Sequence, residues 1–206
     1  MTEDFPDLSP ADPGGPQRNP AGRRAVLFLA MCVLTALIWP LDARISEWFE
    51  RHRLESANHT IVRATSAWTL GIFTAVFAGW LAFRRRAGEA ALVVVTAAVT
   101  LGIGSLLKVL IGRRRPYESL QDFVSLTTAD DASFPSNHTS GAFAVCLVLS
   151  VFLPRLRPLF LVFAAFIAFT RLYVGVHYFS DVCGGLALAM GTTTVAFLIV
   201  RPRPQS

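Results

Sequence analysis

Three short polar blocks carry nearly all the residue types in this chain that could do covalent chemistry. They are Lys108-Val-Leu-Ile-Gly-Arg-Arg-Arg115-Pro116, then Pro135-Ser136-Asn137-His138, then Thr170-Arg171 followed by His177 and Asp181. His177 and Asp181 are four apart, so on a helix they share a face. A carboxylate there can hold one imidazole N–H and leave the other ring nitrogen free as a nucleophile. His138 has no carboxylate near it in sequence, which suits it better to giving a proton to a leaving group. Lys108, the only lysine of the chain, and Arg113 to Arg115 crowd four cations into eight residues. Such a cluster repels itself unless an anion joins it, and a phosphate matches both the planar fork of arginine and the point charge of lysine. Headgroup anchoring is the plainer reading for Arg113 or Arg114. Ser136 and Asn137 are ordinary helix-capping types, and the same helix start offers free N–H groups to an anion. Arg171, at the end of an apolar run, needs an anionic partner or must snorkel toward headgroups. A metal site built from His138, His177 and Asp181 is disfavoured, because the adjacent cations would repel a divalent ion.

The elements that must position these blocks are membrane spans. Of 206 residues, 53% are hydrophobic and the mean hydropathy is +0.49, more apolar than is usual for a soluble domain. Apolar runs at Ala25–Trp39, Ala67–Phe83, Ala90–Ile111, Thr139–Leu153, Leu159–Val176 and Val182–Val200 predict six transmembrane helices, an all-α polytopic bundle over residues 23–203. Residues 1–22, rich in proline, glycine and acids, predict a disordered tail. Arg23, Arg24, Arg84 to Arg86, Arg155, Arg157, Arg201 and Arg203 flank these runs at alternate ends, and the positive-inside rule makes those ends cytoplasmic. All three polar blocks then fall on the outer face. A cleavable leader is the competing reading of the first run, and it leaves five spans with the same outward site. The net charge of +5 sits in short clusters and not along one basic face, so no nucleic-acid partner is implied.

In the first outer loop, Leu41, Ile45, Trp48 and Phe49 recur at helical spacing, with Asp42, Glu47, Glu50, Arg51 and Arg53 between them. This predicts an interfacial helix, either packed over the bundle or forming a lip beside the lipid access route. His52 and His59 read as solvated, and Asp130 and Asp131, in the loop between the first two blocks, as solvated or at most touching a substrate headgroup. Cys32, Cys146 and Cys183 lie in apolar stretches without metal-type spacing and read as small core residues. Gly185, Ala189 and Gly191 permit close helix packing, within the bundle or between subunits. Oligomeric state stays open.

Taken together, Lys108-x6-Arg115-Pro116, Pro135-Ser136-Asn137-His138 and Thr170-Arg171-x5-His177-x3-Asp181 resemble the three-part signature of the type 2 phosphatidic acid phosphatase (PAP2) superfamily, which also contains vanadium haloperoxidases. The resemblance implies a six-span helical fold, with His177 as covalent nucleophile, Asp181 as its orienting partner and His138 as general acid. It also implies that Lys108, Arg115, Ser136, Asn137 and Arg171 bind phosphate, with no metal or other cofactor. Asn137 stands where glycine is usual and Thr170 where serine is usual. The expected activity is that of a bacterial lipid phosphatase in the cytoplasmic (inner) membrane, its site facing the periplasm or exterior. Polyprenyl diphosphate, phosphatidylglycerophosphate, phosphatidic acid and lipid A phosphates all present the same terminal group. A lipid phosphotransferase using the same intermediate, or a non-catalytic lipid-phosphate binder or transporter, are the alternatives.

Overall fold

The computed structural model describes residues 20–200, and throughout them the regular structure is helical. Most of the expected tail, residues 1–19, and Arg201 and Arg203 lie outside the described residues. The order is α1 (Pro20–Ile38), α2 (Asp42–Arg51), α3 (Glu55–Ala64), α4 (Ala67–Phe83), α5 (Ala87–Ile111), the single turn α6 (Pro116–Ser119), α7 (Asn137–Phe152), α8 (Arg157–Val174) and α9 (Phe179–Val200). Four described stretches are long and apolar enough to cross a membrane: Gly22–Arg51, Ala87–Ser119, Pro154–Val174 and Phe179–Val200. Glu55–Ala64 and Trp68–Phe83, bent by 46°, add a fifth if taken as one span.

The apolar helix α7 is only 16 residues long, yet it is the centre of the fold. It packs against α5, α8 and α9, and eleven of its residues are buried. Val145, Val148 and Leu149 share one buried core with Leu81, Val93, Phe160 and Ile167. Phe73 stacks on Phe163 with centroids 4.2 Å apart and Phe77 meets Phe160 edge-on at 5.2 Å, which locks α4 to α8. Much of the outside of these helices is apolar too: Val109 is 82% exposed and Ile199 76%. So continuous an apolar surface is stable only against lipid.

Two glycines end the helices that carry site residues. Gly112 (φ +60°) stops α5 and returns its N–H to Lys108 O at 2.9 Å, and Gly175 (φ +83°) stops α8 and bonds Leu172 O at 3.0 Å. Both are left-handed caps that glycine adopts without steric cost. Close helix contact does the rest. A methyl at Gly185 of α9 would sit 2.7 Å from Ser136 O, and one at Gly191 would sit 3.2 Å from Phe28 of α1. These small residues therefore serve packing inside the bundle. At the end away from the polar blocks, Arg86 reaches Phe152 O at 3.4 Å, while Arg24 and Arg157 line one cavity. Of the cysteines, Cys146 and Cys183 are buried as expected, whereas Cys32 is exposed on the outer face of α1.

Candidate active site

The polar blocks converge at one end of the bundle. Ser133 N–H donates to Arg113 O at 2.8 Å and Ser136 N–H to Asp181 O at 3.1 Å, so the loop before α7 is knitted to both other blocks through its backbone. Within that loop the Phe134–Pro135 peptide is cis. Ser136 caps α7, its hydroxyl accepting the Thr139 N–H at 3.5 Å.

His177 and Asp181 form the buried centre. Asp181 Oδ2 lies 3.3 Å from His177 Nδ1 and accepts a hydrogen bond from its N–H, which favours the tautomer with Nε2 unprotonated, and Nε2 has no hydrogen-bond partner among the described residues. The same oxygen accepts from Tyr178 N–H at 2.9 Å and from the Ser133 hydroxyl. Burial pulls the His177 ring down to about 4, with the charges of Arg115 and Lys108 adding to the fall and Asp181 opposing it. The ring is neutral at physiological pH, as a nucleophile requires.

Around it stand the cations. Lys108 and Arg115 are buried, each within reach of Asp131: Lys108 Nζ is 3.3 Å from Oδ2 and Arg115 Nη2 is 2.5 Å from Oδ1. Arg115 also donates from Nε to Asp131 O at 2.9 Å and from Nη1 to Val176 O at 2.6 Å. Arg171 is buried as well, and donates to Thr65 O at 2.7 Å and to Thr170 Oγ1 at 3.2 Å. The hydroxyl that Thr170 shares with serine thus holds this guanidinium. His138 feels the charges of Arg171, Lys108 and Arg115 and the ring of His177, and its Nε2 is buried without a hydrogen-bond partner among the described residues. Asn137 turns its amide to Ser105 Oγ of α5 at 3.2 Å, against Gly104, where a methyl would collide with it.

Several contributors were not foreseen. Arg113 is no headgroup anchor. Its Nη1 donates to Asp181 Oδ1 and to Ser180 Oγ, each at 2.6 Å, and its Nη2 to Asp42 Oδ2 at 2.7 Å. The guanidinium lies between two rings, 3.7 Å from the Trp39 centroid and 4.1 Å from that of Tyr178. Asp42 is correspondingly not on the solvated face of α2. It is buried, and its Oδ1 accepts the Ser180 N–H at 2.9 Å in the first turn of α9. Asp131, expected to be solvated, carries the ion pairs above. Burial alone would raise its carboxyl, but Lys108 and Arg115 outweigh this and hold it below the usual carboxylate range. Arg114 remains exposed. His52 is exposed and bonds Trp48 O at 2.7 Å, and His59 is exposed. The one signal in the chain for Asp42, Arg113 and Ser133 was the proximity of each to a block or to the outer loop.

A buried imidazole with a tethered Nδ1, a second imidazole with an unpartnered nitrogen, and three further cations make a site for anionic phosphoryl chemistry. Comparison with known proteins agrees. The family model described as PAP2 superfamily matches residues 89–205, more than half of the chain. Undecaprenyl-diphosphatase BcrC of Bacillus subtilis (strain 168) is 31% identical over 107 residues, 52% of this chain and 54% of that protein, so the chain spans about half of that relative. Phosphatidylglycerophosphatase B of the same organism is 27% identical over 179 residues, 80% of this chain and 85% of that protein. The crystal structure of a transmembrane PAP2 type phosphatidylglycerolphosphate phosphatase from Bacillus subtilis superposes with a TM-score of 0.72 at 24% identity. It covers 86% of this chain and 96% of that one, a likeness of fold.

Proposed function

The chain belongs to the PAP2 superfamily, and we propose that within it the protein is a membrane-embedded phosphatase that hydrolyses a lipid phosphate or diphosphate monoester through a phosphohistidine. The observation that carries this reading is the pairing of His177 Nδ1 with Asp181, which leaves Nε2 free to attack, beside cations whose charges act on the ring. Nε2 attacks phosphorus, a P–N bond forms as the P–O bond to the lipid breaks, and His138 gives its proton to the departing oxygen. The incoming dianion supplies the negative charge that an imidazolium at His138 needs beside it. Water then attacks the phosphohistidine with His138 as base, releasing inorganic phosphate and restoring His177. Lys108, Arg115 and Arg171, with Ser136 and the N-terminal backbone of α7 at Asn137, hold the phosphoryl oxygens as charge builds in the transition state. Fixed side chains supply that charge, so the reaction needs no metal.

In the membrane, α7 is the fourth of six spans, kept short because protein surrounds it, and α2 lies at the interface. We read the site as facing the periplasm or exterior, because Arg23, Arg24, Arg84 to Arg86, Arg155 and Arg157 flank the spans at the opposite end, while the basic residues at the site end belong to the polar blocks or the first outer loop. The names of the relatives support a lipid substrate, a polyprenyl diphosphate, phosphatidylglycerophosphate or phosphatidic acid. Phosphate release by the purified full-length protein from these lipids, in excess EDTA, tests the reading. Rapid quenching with a radiolabelled phosphoryl group should trap the label, acid-labile and base-stable, on His177. Loss of activity in EDTA that a divalent ion restores, or label that never appears on His177, refutes it. Label passing to an added alcohol in preference to water would point to a phosphotransferase.

A further inference from the structure

Two of the three cations assigned to phosphate, Lys108 and Arg115, share one carboxylate of the chain itself. Asp131 bridges them, Oδ1 at 2.5 Å from Arg115 and Oδ2 at 3.3 Å from Lys108. The exposures are unequal: the Lys108 and Arg115 side chains are 5% and 3% exposed, that of Asp131 56%. The acid stands at the rim, with the cations beneath it.

The backbone that carries Asp131 is pinned on both sides. Tyr117 Oη donates to Ala129 O at 2.9 Å and accepts the Ala129 N–H at 3.1 Å. Arg115 Nε holds Asp131 O at 2.9 Å, Lys108 Nζ holds Ala132 O, and Ser133 N–H is bonded to Arg113 O at 2.8 Å. None of these bonds involves the Asp131 carboxylate. Rotation about its side-chain bonds can therefore carry the carboxylate off the cations while the loop stays in place, a motion on the picosecond to nanosecond scale at an exposed position.

We propose that Asp131 is a displaceable internal stand-in for the substrate phosphate. Between turnovers it offsets part of the charge of Lys108 and Arg115 and keeps them aimed at one point. The phosphoryl group of the substrate displaces it, and its return helps to expel inorganic phosphate. It is a positioning and affinity-setting residue, because it touches the phosphate ligands and not the reacting atoms. The proposal rests on the assignment of Lys108 and Arg115 to phosphate.

Full-length Asp131→Asn protein in detergent tests it, with Asp131→Glu and Lys108→Met beside it. A carboxylate bonded to buried cations competes strongly, so Asp131→Asn should lower the inhibition constants of vanadate and inorganic phosphate by about tenfold. KM for the lipid should fall similarly, while kcat changes by less than about threefold. Asp131→Glu should restore values near wild type. Unchanged or raised inhibition constants in Asp131→Asn, with Lys108→Met weakening both anions, overturn the proposal and make Asp131 a fixed brace. If Lys108→Met leaves both constants unchanged, the assignment of phosphate to these cations fails instead. Should Asp131→Asn be unstable when purified, saturating vanadate must rescue its thermal stability to near wild type, and failure of that rescue also overturns the proposal.

Discussion

Asp42→Ala tests the least expected feature of the site, a chain of charges that runs from α2 to the nucleophile. Asp42 accepts from Arg113 at 2.7 Å and from the Ser180 N–H at 2.9 Å, and Arg113 in turn donates to Asp181 at 2.6 Å. The Asp42 side chain is 4% exposed and that of Arg113 11%. Water therefore cannot replace the lost carboxylate fully. Breaking a buried pair costs about 3 to 5 kcal/mol; here Arg113 keeps Asp181 as a partner, but the Ser180 N–H and hydroxyl lose their acceptor as well. For a chain of this length about 2 to 4 °C of melting temperature follows each kcal/mol, so Asp42→Ala should melt about 6 to 20 °C lower in detergent. Asp42→Asn keeps an oxygen for the Ser180 N–H and loses only the charged bond, so its cost should be about 1.5 to 3 kcal/mol. Arg113 then turns wholly to Asp181, and the imidazole tethered to that carboxylate shifts. A displacement of that kind lowers kcat by about tenfold to a hundredfold while leaving KM close to wild type. The assays are thermal unfolding followed by tryptophan fluorescence and steady-state phosphate release. Wild-type melting in Asp42→Ala, or a rise in KM with kcat intact, would refute the reasoning and reduce Asp42 to a surface cap.

The two histidines should separate by leaving group. His177→Ala abolishes turnover of every substrate, whereas His138→Ala loses far more activity on a lipid phosphate than on the phosphate ester of an acidic phenol, which departs without a proton; label trapped on His138 would mean the roles are exchanged. Gly185→Ala places a methyl 2.7 Å from Ser136 O, so α9 and the start of α7 must part. We expect a loss of about 1 to 3 kcal/mol and a marked fall in kcat, read by thermal unfolding and phosphate release. Since the His177 ring is pulled down to about 4, it is protonated only below that pH and stays neutral above it. Ring carbon shifts of His177 in labelled protein, assigned against His177→Gln, should titrate near pH 4, lower still in Asp181→Asn, because Asp181 opposes the fall. A midpoint at 6 or above would contradict this.

Much of the protein was legible in its residues taken locally. The apolar runs correspond closely to α1, α4, α5, α7, α8 and α9, because burying 15 or more apolar residues away from water, in lipid or in the bundle, leaves the backbone little choice but a helix. The polar blocks were legible for the reverse reason, since charges at the ends of such helices are costly and stand out. What no local reading reached was which charge meets which. Asp42 and Arg113 are 71 residues apart, Ser133 and Asp181 48, and Arg171 and Thr65 106. Each of these residues has an ordinary local explanation, a polar helix face, a headgroup anchor or a loop hydroxyl. Only the crossing of α9 over the start of α7 at Gly185, the placing of α2 beneath the turn at Ser180, and the return of the 129–133 loop over Lys108 turn them into one network. Such pairings depend on distances set by helix packing, and helix packing is decided by the whole core at once.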